Sequence, residues 1–215
     1  MVLEDSETGQ SASVDLAIFP AKSSALRLID NPDGAQDLAG ALEQKKCVAG
    51  VNGGYFDPSF APIGLRVADG KQIKPLVRAH LLTGVLSSNP QGIRIVRLAE
   101  YSKSSKSDAA IECGPFLVDL GVAVRGLNDT RDARRTFAAV DRRDRAALGV
   151  CSSASLAEAG KILSSGALAS DFKIWRALNL DGGSSSAFWF KRKAGGVFAI
   201  SEQKSVRDFV GVAPR

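Results

Sequence analysis

The chain has 215 residues, 45% of them hydrophobic and 24% charged, a composition close to that of ordinary globular domains, which excludes a disordered tail, a collagen-like rod and a coiled coil. No apolar run approaches the roughly 20 residues that a helix needs to cross a bilayer, so the sequence predicts no transmembrane segment. The formal net charge of +5 favours an anionic ligand, but no basic stripe alternates with aromatic residues, so we expect no nucleic-acid partner.

The first half of the chain is predicted to consist of short strands joined by turns. Residues 1–13 are expected to form a loose N-terminal segment. An alternating strand at 14–19 and its hairpin partner at 25–29 follow, and then a short helix at 37–46. Apolar runs bounded by turn residues predict further strands at 47–51, 64–67, 81–86, 92–98, 109–113 and 116–118.

The second half combines strands with one clear helix. Strands are predicted at 136–140 and 146–150, and a helix at 155–164 is expected to be capped by Ser152 or Ser153. A strand at 175–180 ends in Asp181-Gly-Gly-Ser-Ser-Ser, and late strands are predicted at 187–190, 197–200 and 209–212. Because no linker divides the chain, we predict one α+β (mixed α/β) domain over 1–215, with bent mixed β-sheets flanked by helices.

Two strand ends in the sequence resemble each other. Each predicted helix leads through an apolar strand to a polar residue and two glycines, which are Asn52-Gly53-Gly54 in the first case and Asp181-Gly182-Gly183 in the second. Glycine pairs allow a tight turn and leave backbone N–H groups open to an anion, and Ser184 and Ser185 add hydroxyl groups. The pattern predicts two related half-domains whose strand ends meet at one cleft for a phosphate or sugar hydroxyl groups. A chance likeness between two ligand-free turns is the alternative.

Other catalytic and metal-binding patterns are weak in this sequence. His80 is the single histidine, and its neighbours do not suggest a Ser-His-Asp triad. Cys47, Cys113 and Cys151 are too widely spaced for a C-x-x-C motif; we expect buried, unreactive thiols, although one disulfide stays open. We therefore expect no cofactor and no His or Cys zinc site, while a calcium or magnesium ion near Asp181 stays open.

Several segments occur in the order seen in phosphodiester glycosidase domains. They are Asn52-Gly-Gly-Tyr-Phe, Gly114-Pro-Phe-Leu-Val, Arg135-Thr136 before a strand, Asn179-Leu-Asp-Gly-Gly-Ser-Ser, and the closing segment Ser205-Val-Arg-Asp-Phe. The chain resembles this family over nearly its whole length. The resemblance implies hydrolysis of the bond between a sugar's anomeric carbon and a phosphate diester, which releases the free sugar and a phosphomonoester. A family enzyme removes N-acetylglucosamine in this way.

The resemblance also implies a location. Bacterial members are commonly exported and are often linked to envelope or exopolysaccharide sugars, which implies a periplasmic or secreted protein. The sequence begins without the basic and apolar regions of a secretion signal, so a cytoplasmic location stays open. The chain also departs from the family at Cys113, because a small residue is more usual before Gly114.

The chemistry of glycosyl transfer assigns roles to the residues of these motifs. Such reactions usually use two carboxyl groups. Asp181 is the predicted nucleophile or base, and Glu112, at the end of an apolar strand, is the predicted second carboxylate, with an outward-facing edge residue as the alternative. Arg135 matches the family motif and is the predicted phosphate clamp, with Arg66 as a second candidate. The other predicted substrate-binding residues are Asn52, which alternatively only shapes its turn, Gly53, Gly54, Gly114, Thr136, Gly182, Gly183, Ser184 and Ser185.

Two further functions fit the same residues. A non-catalytic module that binds phosphorylated glycans of the bacterial envelope would keep the pocket without turnover. A nuclease-like hydrolase would attack phosphorus instead of the anomeric carbon. The sequence does not specify the oligomeric state.

Overall fold

A computed structural model describes residues 2–4, 11–101, 106–166, 168 and 171–215. Strands outnumber helices throughout these ranges. In chain order the elements are β1 (Val2–Glu4), β2 (Ser11–Pro20), β3 (Ser24–Asp30), α1 (Leu38–Gln44), β4 (Ala49–Asn52), β5 (Arg66–Ala68), β6 (Lys71–Lys74), β7 (Gly84–Asn89), β8 (Gly92–Arg97), β9 (Ala109–Cys113), β10 (Phe116–Asp119), β11 (Val122–Ala123), β12 (Ala133–Asp141), β13 (Arg145–Ala154), α2 (Leu156–Ser164), β14 (Ile174–Asn179), a 3₁₀ turn (Gly183–Ser185), β15 (Phe188–Lys191), β16 (Val197–Ile200) and β17 (Asp208–Pro214).

The strands of the described ranges form three sheets. The first sheet has the order β1-β2-β13-β12-β14-β10-β11, the second β16-β15-β4-β17-β3, and the third β6-β5-β9-β7-β8. Neighbouring strands in each sheet are antiparallel. The prediction of mixed sheets was therefore wrong, whereas a mixed α+β fold with few helices is confirmed.

The three sheets share one apolar core. Alternating residues point inward from each sheet, such as Phe19 of the first, Leu28 of the second and Ile95 of the third. The helices lie outside this core, as predicted. Helix α2 covers the outer face of the first sheet through Leu163, and α1 covers the second sheet through Leu42.

The predicted hairpin of β2 with β3 and the predicted cap of α2 are both wrong. Strand β3 was expected to form a hairpin with β2, but it pairs with β17, while β2 pairs with β13. Alternation identifies a strand without specifying its partner, and the bend after Pro20 carries the chain into another sheet. Helix α2 is capped by Ser155, because its hydroxyl accepts from Glu158 N and the Glu158 carboxylate accepts from Ser155 N; Ser152 and Ser153 lie within β13 instead.

The described residues of the N-terminal segment form strands. Residues 1–13 were predicted to be loose, but β1 pairs with the beginning of β2 over Val2–Glu4. Residues 1 and 5–10 lie outside the described ranges. Within those ranges, neither helix is long and apolar enough to span a membrane.

The ends of β4 and β14 meet, although these strands belong to different sheets. Asn52 Nδ2 donates to the carbonyl oxygen of Asp181 at 2.7 Å, and Asp181 N donates to the carbonyl of Gly53 at 3.1 Å. The predicted meeting of the two strand ends is confirmed, but a repeat of two half-domains is not. Strand β4 lies between β15 and β17, whereas β14 lies between β12 and β10.

Candidate functional site

Asn52 joins the two glycine turns from the inside. Its side chain is fully buried, and its Oδ1 accepts from Thr136 Oγ1 at 2.7 Å and from Ala187 N at 3.0 Å. Its Nδ2 donates to Asp181, as described above. Because both ends of the amide are bonded to protein groups, the geometry supports the alternative that Asn52 shapes the turn.

A buried ion pair holds the first turn, Asn52-Gly53-Gly54, in place. Asp208 accepts from Gly54 N at 2.8 Å through Oδ1 and from Arg66 Nε at 2.7 Å through Oδ2. The side chains of Arg66 and Asp208 are each 1% exposed. A Cβ on Gly53 would overlap the Asp208 carboxylate, and a Cβ on Gly54 would overlap the Arg66 guanidinium. The glycines are therefore required by the close approach of this pair.

The second turn presents Asp181 at the surface of the site. Gly182 N donates to Asp181 Oδ1 at 2.9 Å, and a Cβ on Gly182 would lie 2.8 Å from the carbonyl oxygen of Arg134. Gly183 adopts φ +63, a left-handed conformation that favours glycine, and begins the 3₁₀ turn. Ser185 is buried, whereas Ser184 is exposed and accepts from Gln203 N at 2.8 Å through its carbonyl.

The pKa of Asp181 is raised above its usual value, mainly because burial disfavours the charged carboxylate. The Ser185 hydroxyl, the Gly182 N–H and the charge of Lys204 lower the pKa, and the charge of Asp208 raises it. Asp181 is only partly buried, so the residue remains accessible to a ligand. A half-buried acid with a raised pKa is suited to proton transfer or to attack on a substrate.

Tyr55 and Asn179 form a second group of polar atoms beside Asp181. Tyr55 Oη donates to the carbonyl of Gly114 at 2.6 Å and accepts from Asn179 Nδ2 at 2.9 Å. Burial raises the pKa of the Tyr55 hydroxyl, and the negative charge of Asp181 contributes to the shift. Gly114 has φ +154, and a Cβ there would overlap the carbonyl oxygen of Leu81. The turn at Gly114 therefore excludes a side chain, and it brings the Gly114 carbonyl close to Tyr55.

The β12 strand brings Arg135 and Thr136 to the site. Thr136 is fully buried and bonds Asn52, so it supports the turns from within. Arg135 is half-buried, and it donates through Nε to Ala154 O at 2.8 Å and through Nη2 to Arg131 O. Burial lowers the pKa of the Arg135 guanidinium, while the nearby Tyr55 opposes the shift. The structure thus places Arg135, the predicted phosphate clamp, near Tyr55.

The structure keeps Arg66 in the interior. Besides Asp208, its guanidinium donates to the carbonyl oxygens of Ile63, Leu65, Glu112 and Tyr55 at 3.0–3.2 Å. Each nitrogen atom of the guanidinium is bonded to at least one protein oxygen and the side chain is 1% exposed, so Arg66 positions the loop around the site and is kept in the interior, away from a phosphate at the surface.

Glu112 lies on the opposite face of β9 from the site. Its Oε2 accepts from Leu65 N at 2.8 Å and from Val77 N at 3.1 Å, and the side chain is fully buried. Alternation along the strand points Cys113 the other way. Burial raises the pKa of the Cys113 thiol to about 12, and the charge of Asp181 contributes in the same direction. The structure therefore does not bring Glu112 together with Asp181. The alternative of an outward-facing edge residue does not apply either.

Several site residues were absent from the sequence-based set: Tyr55, Asn179, Lys204 and Asp208. Tyr55 and Asn179 stand inside the quoted motifs, so the sequence pointed to these positions, although no role was predicted for either residue. Asp208 also stands inside a quoted motif, the closing segment, and is the first residue of β17, whereas Lys204 lies in the segment before β17 and outside the quoted motifs. Within the described ranges, no three His, Cys, Asp or Glu side chains form a group that could hold a metal ion. All three cysteines are free and buried.

The comparisons with known proteins concern the family and the fold. A family model described as phosphodiester glycosidase matches residues 45–213. A hypothetical protein from Synechocystis superposes with a TM-score of 0.72 and 17% identity, covering 100% of this chain and 61% of that chain. The catalytic domain of the zebrafish N-acetylglucosamine-1-phosphodiester alpha-N-acetylglucosaminidase, auto-inhibited by its pro-peptide, superposes with a TM-score of 0.68 and 13% identity. The match covers 100% of this chain and 87% of that chain.

A curated relative from Escherichia coli K12, YigE, is 31% identical over 93 residues. The match spans 40% of this chain and 36% of YigE, so this relative is much longer than the shared segment. At 17% and 13% identity, the likeness to the two solved structures shows the fold alone.

Proposed function

The chain belongs to the phosphodiester glycosidase family, and we propose that it hydrolyses the bond between the anomeric carbon of a sugar and the phosphate of a sugar-1-phosphate diester. Water supplies the oxygen that bonds to the anomeric carbon, the bond from that carbon to the phosphate oxygen breaks, and the products are the free sugar and a phosphomonoester.

The position of Asp181 is the observation that supports this proposal best. Asp181 is partly buried where two glycine turns meet, and burial raises the pKa of its carboxyl group. We assign Asp181 as the reacting carboxylate, acting as nucleophile towards the anomeric carbon or as the base that takes a proton from water.

Arg135 is the proposed phosphate clamp. Its Nε and Nη2 are bonded to backbone carbonyls, which fixes the guanidinium plane and leaves Nη1 and one proton of Nη2 for phosphate oxygens. The backbone N–H groups around Gly183 and Ser184 are the further proposed contacts. Asn52, Thr136 and Arg66 act behind this surface as positioning residues.

A single reacting carboxylate is chemically sufficient for this substrate class. A phosphomonoester leaves without needing a proton, so cationic groups that stabilise its charge can replace the acid catalyst that ordinary glycosides require. The separation of Glu112 from Asp181 is therefore compatible with turnover.

The experiment that tests this proposal is hydrolysis of a panel of sugar-1-phosphate diesters, including one of N-acetylglucosamine, in ¹⁸O-labelled water. We expect the label in the released sugar and a loss of at least about 10³-fold in kcat for Asp181→Asn. Glu43→Gln, an exposed acid-to-amide change on α1, is the matched control and should keep wild-type turnover. Label in the phosphate would instead indicate attack on phosphorus, and full turnover by Asp181→Asn would refute the assigned role.

A second candidate function is a non-catalytic module that binds phosphorylated glycans. The observation that favours it is the burial of Glu112 away from Asp181, which leaves the site without the usual second carboxylate. Saturable binding of one diester without any hydrolysis would support this function. The absence of a cofactor and the periplasmic or secreted location stay predictions. Activity after chelation with EDTA tests the alternative that a calcium or magnesium ion binds near Asp181.

A further inference from the structure

The segment between β16 and β17 is fastened to the turn that contains Asp181. Gln203 N donates to the carbonyl of Ser184 at 2.8 Å, and Arg134 bridges the same two segments. Its Nε donates to Gly183 O at 3.2 Å and its Nη1 to Ser201 O at 3.5 Å. These contacts fix the backbone just before Lys204 relative to the turn that contains Asp181.

The Lys204 ammonium group is held over an aromatic ring of the other glycine turn. Its Nζ lies 5.1 Å from the centroid of the Phe56 ring, and Phe56 packs edge-to-face on Phe60 at 5.0 Å between centroids. A cation at this distance is attracted by the ring face. Lys204 is exposed, and no described carboxylate lies within ion-pair distance of it.

The positive charge of Lys204 acts on Asp181. It is among the groups that lower the pKa of that carboxyl, whereas Arg135 acts on the neighbouring Tyr55. A carboxylate that reacts at the anomeric carbon is close to the phosphate, because only one oxygen atom separates that carbon from phosphorus. A cation near Asp181 is therefore within reach of the phosphate as well.

We propose that Lys204 is a substrate-binding residue whose ammonium group contacts the phosphate of the substrate together with Arg135. This inference rests on the proposed function, since it takes the substrate to be a phosphodiester. The π face of Phe56 restricts the Lys204 side chain before substrate arrives, so less side-chain entropy is lost on binding.

The test measures binding of inorganic phosphate to the full chain by isothermal titration calorimetry at low salt. Lys204→Met removes the charge but keeps an unbranched apolar side chain over Phe56, and we expect the Kd to rise about tenfold. Lys204→Arg should restore most of the affinity. Lys193→Met is the matched control, an exposed lysine in the turn between β15 and β16, and should bind as the wild type does.

Hydrolysis of the diester panel separates this inference from the proposed function. If the wild type hydrolyses a diester, Lys204→Met should raise KM with a smaller change in kcat. If no diester is hydrolysed but phosphate binding still depends on Lys204, the proposed activity fails while the phosphate contact stands. Wild-type affinity in Lys204→Met, or no phosphate binding by the wild type, would overturn the inference.

Discussion

Replacing Asp208 by Asn should destabilise the protein far more than breaking an ion pair of equal length at the surface. Asp208 and Arg66 are joined at 2.7 Å, and Lys22 and Asp144 at 2.6 Å, so Coulomb attraction at contact does not distinguish them. Their environments differ, because the first two side chains are each 1% exposed and the second two are 68% and 61% exposed.

Burial determines the magnitude of the loss. Asp208→Asn leaves the Arg66 guanidinium charged and unpaired in the interior, and removing one partner of a buried pair costs about 3–5 kcal/mol. At about 2–4 °C per kcal/mol for a chain of this size, Tm should fall by about 6–20 °C. Lys22→Met should change the free energy of unfolding by less than about 1 kcal/mol, because water screens that pair.

Thermal and urea unfolding of the wild type, Asp208→Asn and Lys22→Met measures both effects. The urea midpoint should shift with little change in m-value if the variants remain two-state. Added salt should reduce the small effect of Lys22→Met and leave that of Asp208→Asn nearly unchanged. Equal losses for the two variants would refute the reasoning that burial, and not contact distance, determines the strength of these pairs.

Two further predictions concern the glycine turns. Gly53→Ala should cost about 1–3 kcal/mol in unfolding free energy and reduce turnover, because its Cβ overlaps the Asp208 carboxylate and shifts the carbonyl that binds Asp181. Gly70→Ala, at φ +75 with open space around it, should cost about 1–2 kcal/mol in unfolding free energy and leave turnover unchanged. Equal losses of turnover in Gly53→Ala and Gly70→Ala would contradict the explanation by a clash with Asp208. Asp181→Asn should raise Tm at pH 7, because the folded-state pKa of Asp181 is raised and its ionisation therefore opposes folding. This gain should disappear as the pH falls below the ordinary range of an aspartate, where both states are protonated, and a pH-independent gain in melting experiments would contradict the assignment.

Sequence by itself determined the local elements and the two glycine turns. Alternation, apolar runs and turn residues predicted strands close to those observed, including 197–200, which matches β16 (Val197–Ile200) at both ends. These patterns are local, because a strand buried on one face needs alternating side chains whatever its partner is. The motifs around Asn52 and Asp181 likewise identified the turns that meet at the site.

The tertiary structure alone decided which side chains meet. Strand β3 was assigned to the wrong neighbour because a hairpin and a crossover have the same alternation. Arg66 suited a phosphate clamp and Glu112 a catalytic carboxylate by residue type. In the folded chain Arg66 bonds Asp208 and backbone carbonyls, and Glu112 accepts from backbone N–H groups. Asp208 joined the site through pairing of β17 with β4, a contact between residues far apart in the chain. Burial and partner choice are properties of the folded chain, so no local pattern could supply them.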